Sequence, residues 1–256
     1  MILNSKIIGK SSSKLIVLHG FLGMSNNWKS YAKKMQDKDF ELHLIDQRNH
    51  GDSFHSSEFN YKIMADDIFN YLNLKKISKV SIMGHSMGGK TAMMFSSLYP
   101  RLVDKLIVVD ILPIDYQSNF SNIIKYLDSM DLKNISSRKE ADIFLKNKIQ
   151  DSSMRGFLLK NLQRKNNGKF NFKFNLNVLK SKFNEVELAP KLKSPFLGDV
   201  LFVKGQKSKY IDPINLDKST IFFPKLKFIE IPNAGHWAHV ENPEIFFERI
   251  NYFLKN

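Results

Sequence analysis

Residues 80–92 constrain the fold more than any other stretch of the chain. They read Val80-Ser81-Ile82-Met83-Gly84-His85-Ser86-Met87-Gly88-Gly89-Lys90-Thr91-Ala92. An apolar strand-type run enters a Gly-x-Ser-x-Gly turn, and a helix-type run leaves it. Glycine is required at 84 and 88 because side chains there would collide where strand and helix cross closely. The turn holds Ser86 at its tip on a strained backbone and pushes the hydroxyl out of the sheet. It also aims the positive end of the following helix at the same point. The alternative is a glycine-rich strand–helix turn with a bystander serine.

Other segments repeat this strand–helix alternation. Leu15-Ile16-Val17-Leu18 is a short apolar run fit for a buried strand, followed by a helix near Asn26–Met35. Glu41–Asp46, Val80–Gly84, Lys105–Asp110, Val200–Lys204 and Lys227–Ile231 read as further strands. Tyr61–Leu72 and Ser86–Tyr99 read as helices, the second ended by Pro100, and Glu244–Leu254 is a helix started by Pro243. Such alternation predicts an α/β fold with a mainly parallel sheet covered on both faces. It breaks between Ile114 and Ser194, where Asn119–Met130, Arg138–Lys148 and Met154–Leu162 are helical in pattern around the polar break Arg164–Lys169. Residues 114–194 are therefore expected as a helical cap inserted after the sixth strand, within a single domain spanning 1–256.

Composition removes several classes of function. Among the 256 residues there is no cysteine, so disulfides, thiol nucleophiles and thiolate metal sites are absent. No apolar run reaches a membrane-spanning length, and the first residues lack signal-peptide character. A cytoplasmic location without integral membrane association is expected. The net charge of +14 comes from lysines scattered along the whole chain. From Tyr116 to Pro190 there are 14 Lys+Arg against 7 Asp+Glu, a net +7. A solvated lysine surface is one reading, and a field attracting anionic substrates or membrane surfaces is the other. No phosphate loop, dinucleotide fingerprint or metal-ligand spacing occurs, so no cofactor, metal or nucleic acid is expected.

A serine hydroxyl needs a base within hydrogen-bond reach and a group that orients the base. After Ser86 only His236 and His239 remain. His236 follows the last expected strand, at the carboxyl edge where open α/β sheets bind ligands. Gly235 is expected to let the backbone bring its imidazole toward Ser86, and His239 is expected to be structural. The loop after the seventh strand, Gly205–Lys209, holds no carboxylate. Asp110, at the end of Val108-Val109-Asp110, is the favoured acid, because a carboxylate among apolar residues needs a partner. Asp212 is the alternative, with Asp199 and Asp115 behind it. The oxyanion hole requires two backbone N–H groups. Met87 is expected to supply one and Phe21 of His19-Gly20-Phe21 the other, with Leu22 next. Arg48 and His50, in the polar loop Asp46–Ser53, are expected to brace that turn.

These motifs carry a family resemblance. His19-Gly20-Phe21-Leu22-Gly23, Asp46-Gln47-Arg48-Asn49-His50-Gly51-Asp52-Ser53, Gly84–Ala92, Val109-Asp110-Ile111-Leu112-Pro113 and Asn233-Ala234-Gly235-His236-Trp237 occur in order across nearly the whole chain. The chain resembles the α/β-hydrolase superfamily, in particular YbfF-type bacterial esterases and a group of mitochondrial abhydrolase-domain proteins. The resemblance implies an eight-stranded sheet and serine esterase activity on short acyl esters, extending to acyl-CoA thioesters. It also favours Asp110 as the acid. The expected partner is a small acyl ester or thioester, and the expected state a monomer or homodimer. Alternatives are another reaction on the same scaffold, such as carbon–carbon bond hydrolysis, lactonase or perhydrolase chemistry, or a non-catalytic ligand-binding protein.

Overall fold

The computed structural model describes residues 1–35, 40–118, 120–166 and 168–256. Its main sheet begins with β1 (Ser5–Ile8), β2 (Lys14–Leu18), β3 (Glu41–Ile45), β4 (Val80–His85) and β5 (Val103–Val109). A separate antiparallel pair, β6 (Leu162–Arg164) and β7 (Phe170–Phe172), follows. The main sheet resumes with β8 (Asp199–Gly205) and β9 (Leu226–Ile231). Strand order is β1-β3-β2-β4-β5-β8-β9, parallel throughout except for the antiparallel β1–β3 pair at one edge. The strand carrying the Ser86 turn, β4, is thus fixed on both sides.

The helices are α1 (Lys29–Met35), α2 (Tyr61–Lys75), α3 (Met87–Leu98), α4 (Phe120–Asp128), α5 (Arg138–Lys146), α6 (Ser152–Leu159), α7 (Leu176–Ser181), α8 (Phe183–Glu187), α9 (Pro213–Ser219), α10 (Ala238–Glu241) and α11 (Pro243–Lys255). Successive side chains of a strand point to opposite faces, so one strand feeds two cores. In β2, Ile16 and Leu18 join Ile68, Tyr71 and Phe95 of α2 and α3. Leu15 and Val17 join Tyr31 and Met35 of α1 and Phe246 and Ile250 of α11. Burial on both faces explains why the strands read as continuous apolar runs rather than alternating ones.

One expectation is corrected: the main sheet has seven strands among the described residues, not eight, so the strand before the helical insertion, sixth of the usual eight, is the fifth of this sheet in chain order. The residues before β2 hold one strand only, β1, which ends where Gly9 turns the chain at φ 83°. That strand escaped the pattern because Ser5-Lys6-Ile7-Ile8 is half exposed at a sheet edge and lacks a buried apolar run.

Between β5 and β8 lie α4 to α8 and the β6–β7 pair. The Arg164–Lys169 break is the connection of that pair, and Asn167 lies outside the described residues, as does Asn119 before α4. Ile124, Leu127, Leu145, Leu158 and Phe183 of this insertion pack into the core shared with α2 and α3. Polar latches tie it down as well. Asn161 Nδ2 donates to Leu22 O at 2.9 Å, and Tyr61 Oη donates to Val186 O at 2.6 Å.

Candidate active site

The Ser86 turn is built by backbone contact. A Cβ at Gly84 would lie 2.1 Å from Gly88 O, and one at Gly88 would lie 2.6 Å from His19 O. Glycine at 84 lets β4 and α3 cross so closely, and glycine at 88 lets α3 approach the end of β2. Ser86 takes φ 52° and ψ −119°, a conformation costing on the order of 1–3 kcal/mol that the surroundings must impose. Its N–H donates to Val109 O at 3.0 Å, which ties the tip to the end of β5. Ser86 occupies the N-cap position of α3, yet its hydroxyl makes no capping bond.

Asp110 lies one residue beyond β5 at φ 53° and is fully buried. Its carboxylate is satisfied by three donors. His236 Nδ1 is 2.7 Å and Ser208 Oγ 2.5 Å from Oδ2, and Gly205 N–H donates to Oδ1 at 3.1 Å. This solves the burial problem that the sequence posed. The alternative acids have other surroundings, and no bond from them to His236 is seen among the described residues. Asp212 caps α9, accepting from Asn215 N and Nδ2, each at 2.9 Å. Asp115 accepts from Ala189 N at 2.6 Å, and Asp199 opens β8.

The His236 ring stacks on Tyr210, with centroids 4.0 Å apart and planes 22° apart. Its own carbonyl lies 2.8 Å from His85 Nε2. Burial holds the His85 pKa well below its ordinary value, with His236 and His239 adding to the effect. A neutral His85 with hydrogen on Nε2 therefore donates to the His236 backbone. His239 stacks on Trp28 at 4.1 Å, and burial pushes it down to about 3. Gly235 does not take a left-handed φ, and a Cβ there would meet Glu241 Oε1 at 3.3 Å; the tightest approach in this loop is at Gly205, where a Cβ would meet Gly235 O at 1.9 Å.

The His19–Gly23 turn packs against this centre. Leu22 N–H is taken by His50 Nε2 at 3.2 Å, while Phe21 N–H meets no protein acceptor among the described residues. Met87 N–H begins α3, so no intrahelical carbonyl can accept it. These are the two N–H groups singled out from sequence. Burial pushes His50 down to about 3, which keeps Nε2 an acceptor while Nδ1 donates to Arg48 O at 2.9 Å. Arg48 grips Asp67 through Nε at 2.6 Å and Nη2 at 2.8 Å. The polar loop thus braces the turn through its own hydrogen bonds.

Ser86 lines two cavities. One of about 500 Å³ also touches His236, Trp237 and Phe157, and one of about 30 Å³ touches Met87, Lys90 and Tyr210. Ser208, Tyr210, His85 and Lys90 have no assigned role in the sequence reading. The signal that points to Ser208 is its place just after β8, at the carboxyl edge of the sheet. Among the described residues no cluster of three or more His, Asp or Glu side chains is placed to hold a metal ion, and no helix is long and apolar enough to cross a membrane.

Comparison with known proteins agrees with this architecture. A sequence model of the alpha/beta hydrolase fold matches residues 14–243. The chain is 34% identical over 248 residues to the mouse (Mus musculus) sn-1-specific diacylglycerol lipase ABHD11, covering 94% of this chain and 80% of that protein. It is 28% identical over 250 residues to the Escherichia coli K12 esterase YbfF, covering 96% and 94%. The solved structure of a marine microorganism esterase superposes with a TM-score of 0.96 at 36% identity, covering 99% of both chains.

Proposed function

The chain belongs to the α/β-hydrolase fold family, and from that premise we propose that it is a serine esterase hydrolysing short acyl esters and thioesters. The observation that carries this reading is the 2.7 Å bond from buried Asp110 to His236, which lines one cavity together with Ser86 and Phe21, while Met87 lines the second cavity at Ser86. Relatives and a structural neighbour described as esterases or lipases support the same class.

In this scheme His236 Nε2 takes the Ser86 proton as Oγ attacks the acyl carbon. The Phe21 and Met87 N–H groups receive the negative charge that forms on the carbonyl oxygen. His236 returns the proton to the leaving oxygen or sulfur, which departs and leaves an acyl-serine. Water, deprotonated by His236, then attacks the acyl carbon; the bond to Ser86 Oγ breaks, the acid leaves, and His236 returns the proton to Oγ. Asp110 holds the Nδ1–H tautomer and offsets the imidazolium charge. Ser208 supports this by donating to the same carboxylate oxygen. The steps use no cofactor.

The test is turnover of p-nitrophenyl acetate and butyrate, together with labelling by a fluorophosphonate probe mapped by mass spectrometry. Turnover with label on the Ser86 peptide is expected, and Ser86→Ala abolishes both. A protein that is folded, unlabelled and inactive on all esters rejects the proposal.

A further inference from the structure

We propose that the two cavities at Ser86 sort the ester, the acyl group entering the narrow one and the alcohol the wide one. The preferred substrates are then short-acyl esters of bulky, mainly apolar alcohols. This rests on the esterase reading and adds to it which half of the substrate is selected.

The direction follows from proton transfer. The group that protonates the departing oxygen must stand on the side of the leaving alcohol. His236 lines the wide cavity and not the narrow one. The leaving alcohol therefore occupies the wide cavity, and the acyl chain is turned the other way. Phe21 and Phe120 line both cavities, with rings edge-to-face at 5.7 Å, and stand as the partition between them.

Size then fixes the selectivity. The narrow cavity offers about 30 Å³, whereas a single water already needs about 10–15 Å³ of such space. That is room for an acetyl or propionyl tail. Its wall is also held shut. Lys90 Nζ, on α3, donates to Glu187 O at 2.8 Å and Leu188 O at 2.7 Å at the end of α8. The same ammonium lies 4.9 Å from the centre of the Tyr116 ring. Widening the cavity would break these contacts. The wide cavity, at about 500 Å³, falls in the range of whole ligand sites. Phe157, Trp237 and Val240 give it apolar walls.

Gly156 supplies an independent observation. It sits inside α6 and lines the wide cavity. A Cβ there would meet no atom within 4 Å, so no close approach requires glycine. Glycine inside a helix costs on the order of 1 kcal/mol relative to alanine. What the bare α-carbon leaves at this exposed position is open space on the wall of the wide cavity.

The experiment is a two-way substrate matrix. One arm lengthens the acyl chain from acetate to octanoate on a fixed alcohol. The other lengthens the alcohol of an acetate from ethanol to octan-1-ol and 3-phenylpropan-1-ol, primary alcohols of similar acidity. A methylene that does not fit is expected to lower kcat/KM by about 10-fold or more along the acyl arm, while the alcohol arm holds or rises. Gly156→Leu fills the wide cavity with a better helix former, so its melting temperature should not fall. It is expected to lower kcat/KM for the bulky acetates by about 10-fold or more relative to its effect on ethyl acetate. Tolerance of long acyl chains, or a Gly156→Leu defect confined to the acyl arm, overturns the sorting while the esterase reading stands. No turnover of any ester, with no serine labelled, overturns both.

Discussion

The loops at the strand ends and the insertion between β5 and β8 both wall the site, but they are held by different means. In the loops, position is set by backbone contact and fully used polar atoms. Gly84 and Gly88 admit no side chain, Gly205 is in contact with Gly235 O, and Asp110 has three donors. In the insertion, position is set by ring packing. Phe157 lies 6.0 Å from Trp237, and Phe172 stacks on Phe174 at 4.8 Å. A few latches such as Lys90 and Asn161 supplement these contacts. The first kind of constraint fails with a single atom's change. The second accommodates substitution at modest cost. On the proposed function, chemistry and substrate choice would therefore be carried by different kinds of residue.

The largest test of that division is at Ser86. Ser86→Ala should lower kcat on p-nitrophenyl acetate by about 10⁴–10⁶, as expected when one member of a cooperating set is lost. Phe157→Ala, in the insertion, should change kcat by no more than about 10-fold and act mainly on KM for bulky esters. Comparable losses in kcat at the two positions would erase the distinction.

Within the loops, the carboxylates can be ranked. Asp110→Asn should cost about 10²–10⁴ in kcat, because the amide no longer holds the imidazole in its working tautomer. Asp212→Ala should leave kcat intact and cost about 1 kcal/mol of stability, since Asp212 caps α9. Kinetics and urea unfolding on both variants decide this. The reverse ranking would move the acid to Asp212.

The same division explains what could be read from sequence. Ser86, Asp110 and His236 were legible because each obeys a local rule: a turn that demands glycine, a carboxylate stranded among apolar residues, a histidine after the last strand. The Gly205–Lys209 loop was legible only as lacking a carboxylate. Ser208 went unseen because a hydroxyl carries no charge or periodicity to mark it. Arg48 and His50 stood out as a dense polar loop, but the grip of Arg48 on Asp67 spans chain-distant segments. In the insertion, α4, α5 and α6 showed through their apolar spacing. The β6–β7 pair did not, because Leu162-Gln163-Arg164 is too short to show a period. Cavity sizes depend on how distant rings meet, which no local pattern records.

Acid should loosen the loops before the insertion. His50 and His239 are buried and neutral, with pKa values pushed down to about 3, and burial lowers His19 and His85 as well. In the unfolded chain each titrates near about 6.5. Between those values the unfolded state binds more protons, so stability is full above about pH 7 and falls as pH drops through this window. Each such group contributes at most about 1.4 kcal/mol per pH unit. Urea midpoints should decline from pH 6.5 to 4, and hydrogen exchange should rise first in residues 19–23 and 48–52. A midpoint flat from pH 7.5 to 4, or first opening in α4–α6, would contradict this.

The smallest expected effect concerns charge, where sequence and site point in opposite directions. The net +7 of Tyr116–Pro190 suggests a field that draws anions. One lysine of this segment is offset from outside it, Lys173 by Asp52 at 2.6 Å, while the pairing of Arg155 with Asp142 at 2.7 Å is already contained in that net. The walls of the wide cavity carry Lys160 against two carboxylates, Asp151 and Glu241. Exposed lysines farther off are screened over about 8–10 Å at ordinary salt. Capture of an acetyl-CoA thioester should therefore respond to salt only slightly more than capture of a neutral acetate. Between about 0.02 and 0.5 M salt, kcat/KM for the thioester should fall by no more than about 3-fold, with kcat constant. A fall of about 10-fold or more for the thioester alone would mean that the lysines of the insertion act together at long range. The insertion would then select substrates by field as well as by fit.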